Sequence, residues 1–222
     1  LSHSCRRTFA TMGAMLPRAV ESTVVERHYS KAFRVGVCEM NGWRNNMEDA
    51  HLIITKPEWG FFGVFDGHGG EACSAFVAER LKDKIDKNGC PKDDAAVKQL
   101  VIDTDAEFLA LEKPSGSTAT MCIVHKSPGG GEGRKCQIRV ANAGDSRILL
   151  GTRDGKIIDG SGTDEGLTVD HKPNYPAERE RIYRCGGTVE EAAGGVARVN
   201  GELAVSRGFG DAEYKKTGGP GP

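Results

Sequence analysis

Three carboxylates in the first third of the chain stand where they could bind a metal ion. Glu48 and Asp49 come directly before one predicted strand, and Asp66 comes directly after another. Carboxylates brought together repel one another unless a cation lies between them, and oxygen ligands without sulphur favour hard ions such as Mg²⁺ or Mn²⁺ over zinc. Gly67 has no Cβ and would let its carbonyl group turn towards such an ion. The pattern therefore indicates a divalent metal site.

Each of these pieces also has an ordinary structural explanation. The DGHGG run at 66–70 fits a tight turn between a strand and a helix, with His68 as a turn histidine. Arg44, four residues before Glu48, fits a solvated ion pair. Taken residue by residue, the metal site and the structural turn both stay open.

Strands and helices must position these residues, and the sequence predicts runs of each. Aromatic and β-branched residues predict strands at 33–40, 50–55, 59–65, 117–125, 136–142, 147–150 and 156–158. Apolar residues at helical spacing predict helices around 76–85 and 97–111, and a short charged helix is predicted at 176–185. Because strands and helices come in separate runs, we expect an α+β fold with antiparallel sheets.

The chain shows one composition throughout and no internal repeat. We predict a single domain at 31–217, preceded by an N-terminal leader at 1–30 and followed by a Gly/Pro tail at 218–222. The first 20 residues contain no acid and three arginines, a composition shared by organellar transit peptides and flexible leaders. The Gly-rich run at 128–133 lacks the ending of a phosphate-binding loop, so we interpret it as a flexible connection.

Composition argues against several classes of partner. The 30 Lys and Arg residues nearly balance the 31 Asp and Glu residues, so no basic field would attract nucleic acid or an anionic membrane. No apolar stretch approaches the roughly 18 to 20 residues that a membrane span needs. The seven cysteines are scattered without metal-binding spacing, and we interpret them as reduced thiols of an intracellular protein.

Six segments in a fixed order carry the most specific signal. They are GWR with MEDAH at 42–44 and 47–51, FFGVFDGHGG at 61–70, SGSTA at 115–119, NAGDSR at 142–147, DHKP at 170–173, and RVNG with LAVSR at 198–201 and 203–207. In this order they resemble the signature segments of type 2C metal-dependent serine/threonine protein phosphatases, the PPM family. The resemblance runs from about residue 33 to residue 215. It implies a layered β-sandwich of antiparallel sheets flanked by helices.

The same resemblance implies a centre with two Mg²⁺ or Mn²⁺ ions and a third, looser metal site. Asp66 would bridge two ions. Glu48 and the carbonyl group of Gly67 would bind one of them, and Asp49 would support the cluster from behind the ligands. Asp145 matches an aspartate linked to the third, looser site. In such a centre the ions activate a water molecule for attack on phosphorus, so no phosphoenzyme is needed.

Other matched residues would act on the substrate. Arg44 would hold the phosphate, because a planar guanidinium can pair with two of its oxygens. His68 would act as a general acid for the poor serine or threonine leaving group, a contribution of about 10²- to 10⁴-fold. Arg198 is a candidate contact near the substrate, and His171 is interpreted as a structural hydrogen-bonding residue. We therefore expect a monomeric phosphatase of phosphoserine and phosphothreonine in proteins, located in the cytoplasm and/or nucleus.

The sequence departs from the family pattern near its C-terminus. The family takes two further aspartates from late Asp-Gly and Asp-Asn segments that this chain does not contain, and we expect the last strands of the sheet to be missing with them. A non-catalytic binding module with the same fold is therefore an alternative hypothesis. A small-molecule phosphate ester as substrate is another, because substrate choice lies in surface loops.

Overall fold

The computed structural model describes residues 15–126, 135–160, 166–191 and 195–215. Their contacts form two compact units. The hairpin unit contains residues 15–29 and 34–47, and the main unit contains residues 30–33 and the described residues from 48 onwards. The predicted flexible run at 128–133, residues 1–14 of the leader and the Gly/Pro tail lie outside the described residues.

The described residues form short and long strands together with four helices. The strands are β1 Met15–Tyr29, β2 Arg34–Arg44, β3 Ala50–Thr55, β4 Trp59–Phe65, β5 Gly67–His68, β6 Gly116–Ser117, β7 Ala119–Lys126, β8 Cys136–Ala143, β9 Leu150–Gly151, β10 Ile157–Ile158, β11 Val189–Glu191, β12 Ala197–Val199 and β13 Phe209–Gly210. The helices are α1 Ala72–Asn88, α2 Asp94–Leu109, α3 Pro176–Arg184 and α4 Ala212–Lys215.

The hairpin unit is an antiparallel pair of β1 and β2, whose register joins Tyr29 to Arg34 and Val24 to Glu39. Residues 15–29 fell within the predicted leader, and the structure differs there. The β-branched run around Val24 favours extended backbone, which the composition of the first 20 residues did not reveal. The domain boundaries at residues 31 and 217 stay a prediction.

A four-stranded antiparallel sheet, in the order β3-β4-β7-β8, forms the centre of the main unit. The predicted bounds of β3 and β4 are confirmed. Helix α1 buries a side chain every fourth residue, from Cys73 through Val77 and Leu81 to Ile85. This stripe packs against the sheet, where Phe61 has no exposed surface, and removal of such apolar area from water stabilises the unit. The α+β prediction with antiparallel sheets is confirmed.

A second, three-stranded sheet has the order β13-β6-β5 and places three distant parts of the chain side by side. His68 of β5 pairs with Gly116 of β6, and Gly116 pairs in turn with Gly210 of β13. The main chain at residue 68 is therefore paired with β6, and β6 is paired on its other side with β13. This small sheet positions the candidate site.

The strand predicted at 147–150 is wrong apart from its last residue, which begins β9. The backbone N–H of Ile148 donates to the Thr168 hydroxyl (3.1 Å), and its carbonyl accepts from Leu167 (2.8 Å). The Arg147 guanidinium pairs with Asp170. Side-chain and loop partners thus satisfy polar groups that a strand ladder would otherwise use.

The helices and the cysteines of the described residues relate to the expectations about membrane spans and reduced thiols. No helix among the described residues is both long enough and apolar enough to cross a membrane. The cysteines that the structure describes are free thiols, at positions 38, 73, 90, 122, 136 and 185.

Candidate active site

The first part of the site is a close pair formed by His68 and Asp211. His68 Nε2 lies 2.9 Å from both carboxylate oxygens of Asp211, which is 143 residues later in the chain. Because a carboxylate accepts hydrogen bonds, Nε2 carries a proton and donates a hydrogen bond to these two oxygens. We call His68, Asp211 and the intervening Gly116 the acid side of the site.

Gly116 makes the acid side possible because it has no side chain. A Cβ at this position would lie 2.3 Å from both Asp211 oxygens and 2.3 Å from His68 Nε2. No real Cβ tolerates such distances. The SGSTA segment therefore leaves the space in which the imidazole and the carboxylate meet.

The pKa of His68 is raised above its ordinary value by the groups around it. Burial is the largest single influence and lowers the pKa, but the hydrogen bond and the charge of Asp211 raise it, and so do the charges of Asp66 and Glu48. A cation bound between Glu48 and Asp66 would offset their part. The part due to Asp211 would persist.

The second part of the site is a set of carboxylates, Glu48, Asp66 and Asp145, which we call the carboxylate side. Gly67, next to Asp66, packs against the Glu48 carbonyl group, and the Thr118 hydroxyl links the Asp66 N–H to Ser146, next to Asp145, so the main unit brings the three segments together. Asp66 is exposed at the end of β4. The two sides of the site thus adjoin.

Thr118 holds the backbone of the carboxylate side through hydrogen bonds. Its hydroxyl accepts the N–H of Asp66 (3.2 Å) and shares a hydrogen bond with the Ser146 hydroxyl (2.7 Å). Its own N–H donates to the Asp66 carbonyl (2.9 Å). One buried side chain therefore links the segment that carries Asp66 to the segment that carries Asp145.

Gly67 is packed against the other acidic segment. A Cβ at residue 67 would lie 2.2 Å from the Glu48 carbonyl oxygen and 2.8 Å from the Ser74 hydroxyl. The Ser74 hydroxyl donates to that same carbonyl oxygen. The glycine is thus required for the close approach of two backbone segments, a reason that the sequence analysis did not consider.

Burial raises the pKa of Asp145 above the ordinary range of a carboxyl group. The neighbouring carboxylates of Asp66 and Asp170 raise it further. A cation bound near Asp145 would relieve the repulsion that contributes to its raised pKa.

The donors of the carboxylate side fit a hard divalent cation in kind. They are the three carboxylates of Glu48, Asp66 and Asp145 together with the Gly67 carbonyl group, and the mutual repulsion of the carboxylates favours a positive ion. Within residues 15–126, 135–160, 166–191 and 195–215, no three Asp, Glu, His or Cys side chains already converge on one point that could hold a metal ion. The described residues therefore supply ligands of the right chemical type, but they do not form a complete coordination sphere by themselves.

A family model supplies the deciding observation. The model described as Protein phosphatase 2C matches residues 33–220, which include both sides of the site. The chain belongs to the protein phosphatase 2C family.

Individual members of the protein phosphatase 2C family agree with this match. The chain is 36% identical over 220 residues to "Protein phosphatase 2C homolog 2" of Schizosaccharomyces pombe, covering 90% of this chain and 53% of that protein. It is 34% identical over 227 residues to "Protein phosphatase 2C 1" of Paramecium tetraurelia, covering 92% of this chain and 68% of that protein. The chain thus spans about half the length of the fission-yeast relative.

A solved structure supports the fold. The crystal structure of a phosphatase from a pathogenic strain of Toxoplasma gondii aligns with a TM-score of 0.64 at 26% identity, covering 94% of this chain and 70% of that chain. The α+β fold with antiparallel sheets is therefore a protein phosphatase 2C fold.

The remaining residues predicted from the family resemblance lie as follows. Arg44 is exposed at the end of β2 in the hairpin unit, and its carbonyl group accepts a hydrogen bond from the Asn41 side chain. Asp49 is exposed directly before β3. Arg198 lies on β12 opposite Glu190 and donates to the Glu202 carbonyl group. The roles assigned to these three residues stay predictions.

His171 has the structural role that the sequence analysis gave it. Its Nδ1 accepts the N–H of Gly144 (3.2 Å), and its backbone carbonyl accepts the N–H (3.0 Å) and the hydroxyl (2.9 Å) of Ser206. Burial lowers the pKa of the His171 ring, which suits a neutral acceptor. The DHKP segment thereby ties the Asp145 loop to the stretch that leads into β13.

Sequence reasoning missed Asp211 and the role of Thr118. Asp211 follows the quoted LAVSR segment by four residues, and its only local signal was a carboxylate directly after the Gly208-Phe209-Gly210 run. Thr118 lay inside the quoted SGSTA segment without an assigned role. In both cases the decisive partner is more than 25 residues away in sequence.

A buried carboxylate stabilises the stretch that leads into β13. Glu178 is 5% exposed and accepts hydrogen bonds from the guanidinium groups of Arg207 (2.7 Å) and Arg181 (2.8 Å) and from the Ser206 hydroxyl (2.7 Å). Burial alone would raise the pKa of Glu178, but these donors lower it to about 2. Helix α3 is therefore anchored to residues 206 and 207.

Proposed function

We propose that the protein hydrolyses phosphoserine and phosphothreonine in proteins, with Mg²⁺ or Mn²⁺ as cofactor and without a phosphoenzyme. Membership of the protein phosphatase 2C family supports phosphatase activity in general. The single observation that carries the finer proposal is the junction of the two sides. A histidine paired with Asp211 adjoins carboxylates suited to a hard cation.

The metal site is proposed for the carboxylate side. Asp66 would bridge two ions, with Glu48 and the Gly67 carbonyl as further ligands, Asp49 behind them and Asp145 at a third ion. When bound, such ions lower the pKa of water and offset the negative charge of the phosphate. Thr118 holds Asp66 through its backbone, so the Asp66 carboxylate would be available to bind the metal ion.

The substrate is proposed to react by attack of a water oxygen on phosphorus. A bond from that oxygen to phosphorus forms, and the bond from phosphorus to the side-chain oxygen of the substrate breaks. The electron pair leaves with the side-chain oxygen, which takes a proton from His68, while the attacking water gives up a proton to solvent, from which His68 is protonated again. Arg44 is proposed to pair with the phosphate oxygens, and Arg198 to contact the substrate nearby.

The acid side suits the proton transfer. An alkoxide is a poor leaving group, so a proton supplied as the bond breaks accelerates the reaction by about 10²- to 10⁴-fold. The raised pKa of His68 keeps the ring doubly protonated at higher pH than an ordinary histidine. Because Nε2 donates to Asp211, Nδ1 is the nitrogen that could donate to the substrate.

Three further properties stay proposals for the whole protein. Its substrates would be phosphoproteins, it would act as a monomer, and it would be located in the cytoplasm and/or nucleus. The chain spans about half the length of the fission-yeast relative.

The proposed function is tested by metal-dependent turnover. Purified protein with Mn²⁺ should release phosphate from a phosphothreonine peptide, and EDTA should abolish the release. Asp66→Asn should lower kcat by about 10³-fold, equivalent to several kcal/mol of lost metal stabilisation.

Asp83→Asn is the matched control, because Asp83 is an exposed carboxylate on α1 away from the named ligands. It should retain the activity of the unmodified protein. Equal activity of the Asp66→Asn and unmodified proteins, or activity that survives EDTA, would refute the proposal.

A further inference from the structure

A buried carboxylate on α2 holds the short stretch that carries Asp211. Asp105 is 3% exposed, and its Oδ1 accepts the backbone N–H of Gly210 at 2.8 Å. Lys215 Nζ lies 2.8 Å from Oδ1 and 2.7 Å from Oδ2 of the same carboxylate. Asp105 thus contacts the residue directly before Asp211 and the last residue of α4.

Lys215 links the end of α4 back to the start of the same stretch. Besides Asp105, its ammonium group donates to the Gly208 carbonyl group at 2.8 Å. Asp105 therefore holds residues 210 and 215 directly and residue 208 through Lys215, with Asp211 between them. A buried ion pair with its remaining hydrogen bonds satisfied is costly to disrupt, because removal of one partner leaves the other uncompensated.

The backbone of Asp211 shows that this position is imposed by its surroundings. Its φ angle is 51°, in the left-handed region that residues other than glycine seldom occupy. The Asp211 N–H donates to the Ser115 carbonyl group at 3.1 Å, next to Gly116. The contacts of Asp105 on one side and of Ser115 on the other keep the carboxylate pointing at His68.

We propose that Asp105 is a positioning residue for the general acid: it acts through Gly210 and Lys215 to hold Asp211 against His68. The proposal rests on the proposed function, in which His68 protonates the leaving group. Asp105 itself touches neither substrate nor metal in this account. Its loss should let Asp211 move while the carboxylate side stays in place.

Two substrates separate proton donation from the rest of the reaction. A phosphothreonine peptide releases an alkoxide and depends on a general acid. p-Nitrophenyl phosphate releases a stable phenolate and depends on it far less. A residue that acts through His68 should therefore change the first rate and spare the second, whereas a general loss of structure lowers both.

The test compares Asp105→Asn with Val101→Ala, a buried apolar residue one turn earlier on α2. In Asp105→Asn we expect kcat for the peptide to fall about tenfold or more, a part of the full contribution of an acid, with KM unchanged and kcat for p-nitrophenyl phosphate within about twofold. Val101→Ala should lower the melting temperature and leave the ratio of the two kcat values unchanged. Equal losses on both substrates, or no loss on the peptide, would overturn the proposal.

Lys215→Met provides a second variant if Asp105→Asn does not fold, because it keeps the aliphatic stem and removes the ammonium group. The same selective loss is expected, and the same equal losses would count against the proposal.

A spectroscopic measurement makes the proposal independent of activity. In ¹⁵N-labelled protein, the hydrogen-bonded Nε2 proton of His68 should be seen in the unmodified protein and in Val101→Ala, and should shift or disappear in Asp105→Asn. An unchanged signal in Asp105→Asn would overturn the positioning role. If the unmodified protein showed no Mn²⁺-dependent turnover, the proposed function would fail, while this signal would still decide whether Asp105 positions the pair.

Discussion

His68 and Asp66 lie two residues apart in the chain, yet different parts of the molecule hold them. On the acid side, His68 Nε2 donates a hydrogen bond to Asp211. The pairing of β5 with β6 and of β6 with β13 brings the two residues together. On the carboxylate side, Thr118 holds the Asp66 backbone, while the Asp66 carboxylate is exposed beside other negative charges. The protein thus pairs the proposed proton donor with one of its own carboxylates, whereas we propose that a cation organises the carboxylates of the other side.

After Asp66→Asn, the largest expected effect comes from closing the space between His68 and Asp211. Gly116→Ala introduces a Cβ where 2.3 Å separates it from both partners, so the pair must part. We expect kcat for a phosphothreonine peptide to fall by about 10²-fold or more, with a smaller change for p-nitrophenyl phosphate.

Gly151→Ala is the control for the Gly116 substitution. No described atom lies within 4 Å of the Cβ position at residue 151, which belongs to the short strand β9. This variant should keep both rates. Melting temperatures of the two variants show whether Gly116→Ala is folded, and unchanged peptide turnover in a folded Gly116→Ala protein would remove the acid side from the mechanism.

A smaller effect is expected on stability from the support behind β13. The pKa of Glu178 is about 2 in the folded protein, against an ordinary value of 4.5, so its contribution is present above pH 4.5 and is lost as the pH falls towards 2. The shift corresponds to about 3 kcal/mol. Urea denaturation should therefore show Glu178→Gln less stable than the unmodified protein at pH 7, with the difference shrinking between pH 4.5 and pH 2.

Glu79→Gln, at an exposed position on α1, is the control for charge alone. It should match the unmodified protein at every pH. A Glu178→Gln protein whose deficit stayed constant from pH 7 to pH 2 would show that the ionised carboxylate is not what stabilises this stretch.

The smallest effect is expected from the hydroxyl of Thr118, which supports the backbone of the carboxylate side. Thr118→Val keeps the shape of the side chain but leaves the Asp66 N–H and the Ser146 hydroxyl without their shared partner. Such a loss costs about 1 to 3 kcal/mol, so the Mn²⁺ concentration for half-maximal activity should rise by about tenfold.

Thr120→Val offers a matched comparison on the neighbouring strand. The Thr120 hydroxyl is buried and has no hydrogen-bond partner among the described residues, so its replacement by a methyl group should be neutral or slightly stabilising. Equal Mn²⁺ requirements in both valine variants would contradict the role given to Thr118.

The sequence predicted those parts of the molecule whose signal is local. Strands β3 and β4 have long apolar patterns, and both bounds are confirmed. Helix α1 follows from the spacing of Val77, Leu81 and Ile85. The carboxylates of the site lie at the ends of these elements, and their family resemblance made them visible without a structure.

The partners of those residues could not be predicted in the same way. Strands β5, β6 and β13 have two residues each, too few for any periodicity, and yet they bring Asp211 to His68. The φ angle of Asp211 and the space at Gly116 are properties of the folded main chain. Contacts between residues more than 100 positions apart depend on the complete fold, so a single sequence does not reveal them.

The most direct test of the account is the leaving-group dependence of Asp211→Asn at saturating Mn²⁺. We predict that the ratio of kcat for the phosphothreonine peptide to kcat for p-nitrophenyl phosphate falls by about tenfold or more, while the Mn²⁺ concentration for half-maximal activity stays that of the unmodified protein. An unchanged ratio together with a higher Mn²⁺ requirement would contradict the account, because Asp211 would then belong to the carboxylate side.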